Sequence, residues 1–261
     1  MGKVLVCGRG GSGKSTITAM LARYMAAQGK SVCVVDTDES NRGLHRMLGL
    51  REPEMTLADE FGGRAALKKW LYGYSSVDDS PLPDKLHVQD LPLSCISRRD
   101  NVALLSVGKI EEPHEGCACP LGALGKKLLG SLENGNWQYL VDAEAGVEHV
   151  GRGHFESCDA FLLVMEPSWE SFRLKEVFRG YAGEFGKEMA CVLNRAGENI
   201  TAMMEEHFEG DPETAATLPE MPEVTMANLL GKPVPVPAYL LDRLETVTGL
   251  LFPQLCGKKR G

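Results

Sequence analysis

Residues Gly8-Arg9-Gly10-Gly11-Ser12-Gly13-Lys14-Ser15 satisfy the pattern G-x-x-x-x-G-K-[ST] in full. Glycines at this spacing let the backbone coil tightly and turn its N–H groups toward anionic oxygens. The lysine reaches the outer phosphates of a nucleotide, and the serine hydroxyl can ligate Mg²⁺. Lys14 is therefore the expected catalytic cation and Ser15 the expected magnesium ligand. Thr16 follows at the start of a helix whose positive end faces the same oxygens. Two clusters of carboxylates could complete such a site. Asp36 and Asp38 lie in VVDTD, and Asp142 ends YLVD, with Gly146 four residues on. In open α/β sheets, ligands sit beyond the carboxyl ends of the strands, which aims both clusters at the glycine-rich loop. Asp142 is assigned to the Mg²⁺ side as a Walker B residue, Asp36 to support of the Mg²⁺ water shell, and Asp38 to the attacking water. A strand-end carboxylate that caps a helix is the plainer alternative for Asp36 and Asp142.

A second constellation lies in His114-Glu115-Gly116-Cys117-Ala118-Cys119-Pro120. Residues i and i+2 of an extended segment point to one side. Two thiolates there can share a metal ion, but a closed site needs four ligands. A twofold dimer would supply the second pair. Zn²⁺ accepts the tetrahedral arrangement, whereas Ni²⁺ prefers a square plane. Two incidental loop thiols are the alternative, since the chain holds 8 cysteines and close pairs arise by accident. Cys7, Cys33 and Cys191 sit in apolar runs and read as small buried hydrophobes. His114 and Glu115 read as solvated loop residues before they read as ligands.

The elements that must position these residues follow from hydrophobic periodicity. Strands are expected over Lys3–Cys7, Ser31–Asp36, Asn101–Val107, Gln138–Asp142, Ala160–Met165 and Met189–Asn194. Helices are expected over Thr16–Gln28, Ala65–Tyr72, Leu121–Leu132, Trp169–Phe185, Thr201–Phe208 and Pro237–Leu251, with a short one around Leu44, Met47 and Leu48. Ser75–Asp84, Pro113–Pro120 and Gly210–Pro222 read as loops. Strand, phosphate loop, helix and strand in that order make a βαβ unit of a parallel sheet. The fold class is a single doubly wound, mostly parallel α/β domain spanning residues 1–261.

Composition narrows the function. Of 261 residues, 43% are hydrophobic and 25% charged, as in ordinary globular chains. The net charge of −8 argues against a nucleic-acid partner. No apolar run approaches the roughly 20 residues that span a bilayer. Cleavage of the N-terminus as a signal would destroy the phosphate loop, so a cytoplasmic location is expected. In the C-terminal helix, Leu240, Leu241, Leu244, Val247 and Leu251 share a face and are expected to pack on the sheet. Asp242 and Glu245 interrupt the basic character that the tail Lys258-Lys259-Arg260 would otherwise lend to membrane binding. His149 and His154 read as helix-surface residues, and Trp169 as a core or interface residue.

Taken together, GRGGSGKST, VVDTDES and DAEAGVEHVGRG resemble the MinD/ParA/nitrogenase-iron-protein class of dimeric P-loop ATPases, whose phosphate loop is the deviant Walker A type. The C-x-C at Cys117 and Cys119, the stretch Asp142–Gly153 and the stretch VMEPSWES narrow the resemblance to the CooC-type ATPases that insert nickel into carbon monoxide dehydrogenase. The resemblance implies a homodimer closed by ATP, with Mg²⁺, Ni²⁺ or Zn²⁺ bound and a nickel–iron client enzyme. It implies that Gly8 to Thr16, Asp36 and Asp142 hold the nucleotide and its metal, and that Asn194 in CVLNR pairs with adenine, with Pro233–Pro237 passing the base. A strand-end turn residue is the other reading of Asn194. In the class a signature lysine reaches the partner's nucleotide. Here Arg9 stands in its place, a permanent cation able to bind phosphate bidentately and to act in trans, or else a mark of altered hydrolysis. Two further readings stay open, an iron–sulfur cluster carrier and a positioning or partition ATPase working on DNA or membrane.

Overall fold

The computed structural model describes residues 2–73, 80–110, 118–144, 153–197, 199–200, 203 and 214–255. Several expectations lie outside these residues: the first half of Ser75–Asp84, His114, Glu115, Cys117, Gly146, His149, the helix over Thr201–Phe208 apart from Met203, and the basic tail.

The strands are β1 (Lys3–Gly8), β2 (Ser31–Asp36), β3 (Ile96–Arg99), β4 (Val102–Ser106), β5 (Trp137–Asp142), β6 (Ala160–Met165), β7 (Glu188–Asn194) and β8 (Thr214–Leu218). They form one sheet of order β3-β4-β2-β5-β1-β6-β7-β8. β3 runs antiparallel to β4, and every other pairing is parallel. The helices are α1 (Lys14–Ala27), α2 (Leu44–Leu48), α3 (Leu57–Glu60), α4 (Gly63–Tyr72), α5 (Cys119–Ser131), α6 (His154–Ser157), α7 (Trp169–Phe185), α8 (Pro222–Leu229) and α9 (Leu241–Leu251).

Alternation along each strand sends successive side chains to opposite faces. Leu5, Cys7, Cys33, Val35, Tyr139, Val141, Phe161 and Leu163 meet Leu67 of α4, Leu124 and Leu128 of α5, Phe155 of α6 and Phe178 of α7. Val4, Val6, Val32, Val34, Leu140, Leu162 and Val164 meet Ile17, Met20 and Leu21 of α1, Leu44 of α2, Val224 of α8 and Leu244, Val247 and Leu251 of α9. Both faces of the central strands are covered, which is why those strands are continuous apolar runs. Cys7, Cys33 and Cys191 are buried thiols in these layers.

The structure departs from the sequence reading at three elements and three residues. Gly210–Pro222 is not all loop, because Thr214–Leu218 adds β8 to the edge beside β7. Pro222 is not a loop residue but the first residue of α8, where its missing N–H costs no hydrogen bond. Ile96–Arg99 forms the other edge strand. His154 is buried rather than on a helix surface, with Nε2 3.2 Å from the Gly122 carbonyl oxygen. Trp169 is 69% exposed, so it is no core residue, and Leu241 lies outside the apolar face of α9. No helix among the described residues is long and apolar enough to cross a membrane.

Candidate functional site

β1 ends at Gly8 and α1 begins at Lys14, so the intervening loop sits at the carboxyl edge of the sheet's central strands. Its backbone needs glycine. Gly8, Gly11 and Gly13 have φ of 148°, 81° and 98°. A Cβ on Gly8 would strike the Val164 carbonyl, and one on Gly13 the Asn194 amide. Ser12 N–H donates to the Arg9 carbonyl at 3.3 Å, which closes the turn. Lys14 is buried with the loop and donates from Nζ to the Arg9 carbonyl at 3.1 Å, folding its ammonium over the loop. The Ser12 hydroxyl is fully buried, with no hydrogen-bond partner among the described residues. Gly10 and Gly11 stay on the exposed crest, and Ser15 and Thr16 occupy the first turn of α1.

Register brings the carboxylates together. Asp36 of β2 lies opposite Asp142 of β5, and Asp142 opposite Val6 of β1. Asp142 is completely buried. It accepts from Thr18 Oγ1 at 3.4 Å and from Asn41 Nδ2 at 3.5 Å. The same Asn41 amide donates to Ser15 Oγ at 2.9 Å and so ties the loop serine to the β5 carboxylate. Asp36 is bound at 2.6 Å by Lys109 Nζ, which also donates to the Asp38 carbonyl at 2.6 Å. Asp38 is half-buried, and its Oδ1 accepts from the Ser40 N–H and hydroxyl at 2.9 and 2.6 Å. Burial pushes the Asp36 carboxyl up to about 7; the Lys109 ammonium opposes this and the Asp142 carboxylate adds to it. Burial likewise pushes Asp142 up to about 6, against the hydrogen bond from Ser15.

Arg9 does not extend freely. Its Nη1 lies 3.2 Å from Glu166 Oε1, 3.4 Å from Ser168 Oγ and 3.7 Å from Glu170 Oε2, within the turn that leads into α7.

On the other flank, β7 ends at Asn194, and Arg195 takes a left-handed φ of 59°. That bend turns Asn194 back onto the loop, where Nδ2 donates to the Ser12 carbonyl at 2.9 Å. Its Oδ1 is buried and unpaired among the described residues. Beside it opens a cavity of about 540 Å³ lined by Gly13, Thr16, Asn194, Pro219, Met221 and Asn228. The turn after β8 supplies the far wall. Pro233–Pro237, expected to pass the base, does not line this cavity. Val234 is buried against α2 instead, with its N–H on the Met47 carbonyl at 2.8 Å.

Of the cysteine pair, Cys119 falls among the described residues. Cys119 opens α5 and is half-buried. Ala118, with φ −72° and ψ −2°, is helical rather than extended, so the same-side geometry expected of an extended C-x-C does not hold there. Among the described residues no group of three or more His, Cys, Asp or Glu side chains could hold a metal ion.

Sequence reading missed Asn41, Lys109, Asn228 and the Pro219–Pro222 turn. Lys109 carried a usable signal, lying just past the carboxyl end of β4. Asn41 and Asn228 carried none, because tertiary packing alone delivers them.

Comparison with known proteins agrees with this geometry. The chain is 33% identical over 231 residues to an uncharacterized ATP-binding protein of Methanocaldococcus jannaschii, covering 88% of this chain and 92% of that one. It is 30% identical over 190 residues to the carbon monoxide dehydrogenase accessory protein CooC of Rhodospirillum rubrum, covering 72% of each. In fold it is similar to the cell division ATPase MinD of Pyrococcus furiosus, with a TM-score of 0.67 and 22% identity over 96% of this chain and 100% of that one. The family model for the CobQ/CobB/MinD/ParA nucleotide binding domain matches residues 3–234. With a complete phosphate loop at the carboxyl edge of a parallel sheet, the chain belongs to that family and is a P-loop ATPase.

Proposed function

We propose that this ATPase is a metallochaperone. ATP brings two copies face to face, Cys117 and Cys119 of both copies hold a nickel or zinc ion, and hydrolysis releases the metal to a nickel–iron client such as carbon monoxide dehydrogenase. The observation that carries the ATP half is the loop, in which a buried Lys14 and a Ser12 hydroxyl unpaired among the described residues share one turn. The similarity to CooC supports the metal half, together with the C-x-C whose second cysteine opens α5.

The donor set beside the loop suits Mg²⁺, since the Ser15 hydroxyl and the Asp36, Asp38 and Asp142 carboxylates are all hard oxygens. When bound, that ion neutralises charge on the β- and γ-phosphates. Within the chain, Lys14 holds the outer phosphates, Asn41 keeps Ser15 and Asp142 together, and Asp38 orients the attacking water. Lys109 holds Asp36 and the Asp38 main chain in place. Arg9 reaches the partner's nucleotide only after leaving Glu166 and Glu170. Asn194 Oδ1 accepts from the adenine amino group.

Two measurements test the halves separately. Lys14→Ala should abolish ATP hydrolysis, and an unchanged rate would defeat the enzymatic half. Cys117→Ala with Cys119→Ala should remove the metal retained per dimer, and stoichiometric Ni²⁺ or Zn²⁺ on the double variant would dismiss the cysteine site. A brown, anaerobically purified protein containing iron and sulfide would point to cluster transfer instead. Salt-sensitive DNA binding would point to a positioning ATPase. An α9 membrane anchor is the weakest alternative, since Leu244, Val247 and Leu251 are already packed on the sheet.

A further inference from the structure

We propose that the side-chain amide of Asn41 is a placeholder for the magnesium ion, a positioning residue that must leave Ser15 and Asp142 when the ion binds. The inference rests on the Mg²⁺ reading of the site and adds its regulation by a residue outside the phosphate loop.

Asn41 lies between β2 and α2, and the two ends of its amide face different partners. Nδ2 donates to Ser15 Oγ at 2.9 Å and reaches Asp142 Oδ2 at a longer 3.5 Å. Ser15 in turn donates its hydroxyl hydrogen to Asp142. At the other end, Oδ1 accepts from the Gly43 N–H at 3.0 Å. An amide donates only from nitrogen and accepts only on oxygen. Turning this one over would set Oδ1 against the Asp142 carboxylate and the NH₂ group against the Gly43 N–H. The contacts therefore fix which end faces the site.

The groups that Nδ2 touches are two of those assigned to the ion. Until the ion binds, the amide keeps Ser15 and Asp142 together by presenting weak positive charge to their lone pairs. A divalent cation presents strong positive charge to the same lone pairs. The two cannot share the wedge between one hydroxyl and one carboxylate, because the amide hydrogens would then face the ion. With phosphate on the loop the cation wins, since it also neutralises the phosphate oxygens and the amide does not. The amide has room to leave. Asn41 also borders a cavity of about 280 Å³ walled by Leu44, Ser106 and Lys109. The sheet need not follow, because Thr37 stays pinned to the Asp142 carbonyl by its N–H and its hydroxyl, both at 3.0 Å. Gly43 is the N-cap of α2, so movement of Asn41 is passed to that helix.

Calorimetric titration with ADP in excess Mg²⁺ and again in EDTA tests this without hydrolysis. The ratio of the two affinities reports the metal's contribution alone. In Asn41→Ala the ion has no amide to displace, so the ratio should rise about three- to tenfold over wild type, the worth of one hydrogen bond. A residue that merely held Ser15 and Asp142 ready for the ion would move the ratio the other way. Thermal melts give a second readout. Asn41→Ala should melt below wild type in EDTA, and the gap should narrow in Mg·ADP, because a ligand bound more tightly stabilises more. Asn41→Asp keeps the size of the side chain and sets an oxygen where the N–H stood. It should raise the ratio further and melt lowest in EDTA, and it carries the test where Asn41→Ala fails to fold. A ratio equal to or below that of wild type in these variants, or a gap that widens in Mg·ADP, would overturn the placeholder role alone. Equal wild-type affinities in Mg²⁺ and EDTA would overturn the magnesium reading itself.

Discussion

The two flanks of the phosphate loop differ in how their polar atoms are satisfied. Toward β2 and β5, the acidic groups already have partners within the chain. Asp36 is held by Lys109, Asp38 by Ser40, and Asp142 by Thr18 and Asn41. Toward β7 and α8, the amide oxygens of Asn194 and Asn228 are buried without partners among the described residues, beside an open cavity. An unpaired buried acceptor costs about 1–3 kcal/mol, so the amide flank is arranged for a ligand that repays it. The acidic flank gains nothing of that kind and must exchange internal partners when metal and phosphate arrive. Base and sugar should therefore enter a preformed slot, while the hydrolytic side rearranges.

The largest expected effect comes from a change that damages both flanks. Gly13 has φ 98°, and a Cβ there meets the Asn194 amide, the group that anchors the open flank to the loop. Gly13→Ala should cost about 2–4 kcal/mol by urea denaturation, combining left-handed strain with overpacking. It should also abolish calorimetric nucleotide binding. Wild-type affinity in that variant would show that the loop does not depend on Asn194.

The acidic flank alone is the target of Lys109→Met. Lys109 and Asp36 are both largely buried, with side-chain exposures of 14% and 3%. Without the lysine, burial leaves Asp36 to take up a proton, so the cost is that of a broken buried hydrogen bond, about 1–3 kcal/mol. The loss should shrink at acid pH, where Asp36 is protonated.

The pH dependence of the wild type carries the same signature with a smaller amplitude. The folded-state carboxyls of Asp36 and Asp142 are raised to about 7 and about 6. Their unfolded values lie near 4. Between about pH 4 and pH 7 the native state therefore binds more protons than the unfolded chain, and these groups make stability fall as pH rises. Their contribution is complete below pH 4 and lost above about 7. Asp36→Asn removes one of the two, so its stability relative to wild type should improve from pH 5 to pH 7.5. Denaturation curves at the two pH values check the sign. A constant difference between the proteins would mean that Asp36 is not held protonated by burial.

How much of this was legible beforehand follows from how local each signal is. The loop, α1, β2 and the strand-end carboxylates are written in short runs of glycines and β-branched residues, and the structure puts them where those runs predict. β8 was lost because TAATL sits in a polar, proline-punctuated stretch, and as an edge strand it buries Ala216 and Leu218 with Ala215 part-buried beside them. β3, with the sequence ISRR, carries the charges that protect a sheet edge from further pairing and so hides its strand character. α8 was hidden by reading Pro222 as punctuation when it is a helix start. Lys109, Asn41 and Asn228 act only after packing brings three distant segments to one loop, and residue type alone cannot announce that. Which proline segment borders the cavity beside Asn194 was hidden for the same reason, since Pro219 and Pro233 look alike in sequence but only Pro219 follows the strand beside Asn194.

Arg9 lies on neither flank and should give the smallest stability change. Its side chain is 41% exposed, and its guanidinium is shared among Glu166, Ser168 and Glu170. Exposed ion pairs contribute about 0–1 kcal/mol after solvent screening and side-chain entropy, so Arg9→Ala should shift stability by less than about 1 kcal/mol. Its effect on assembly should be disproportionate. If the guanidinium serves the partner's nucleotide, Arg9→Ala should bind Mg·ATP with near-wild-type affinity as a monomer yet fail to dimerise, as followed by sedimentation with and without nucleotide. Dimerisation at the wild-type level would confine Arg9 to joining the loop to the start of α7. The contacts to Glu166 and Glu170 would then be structural, with no competition between a bond in cis and a bond in trans.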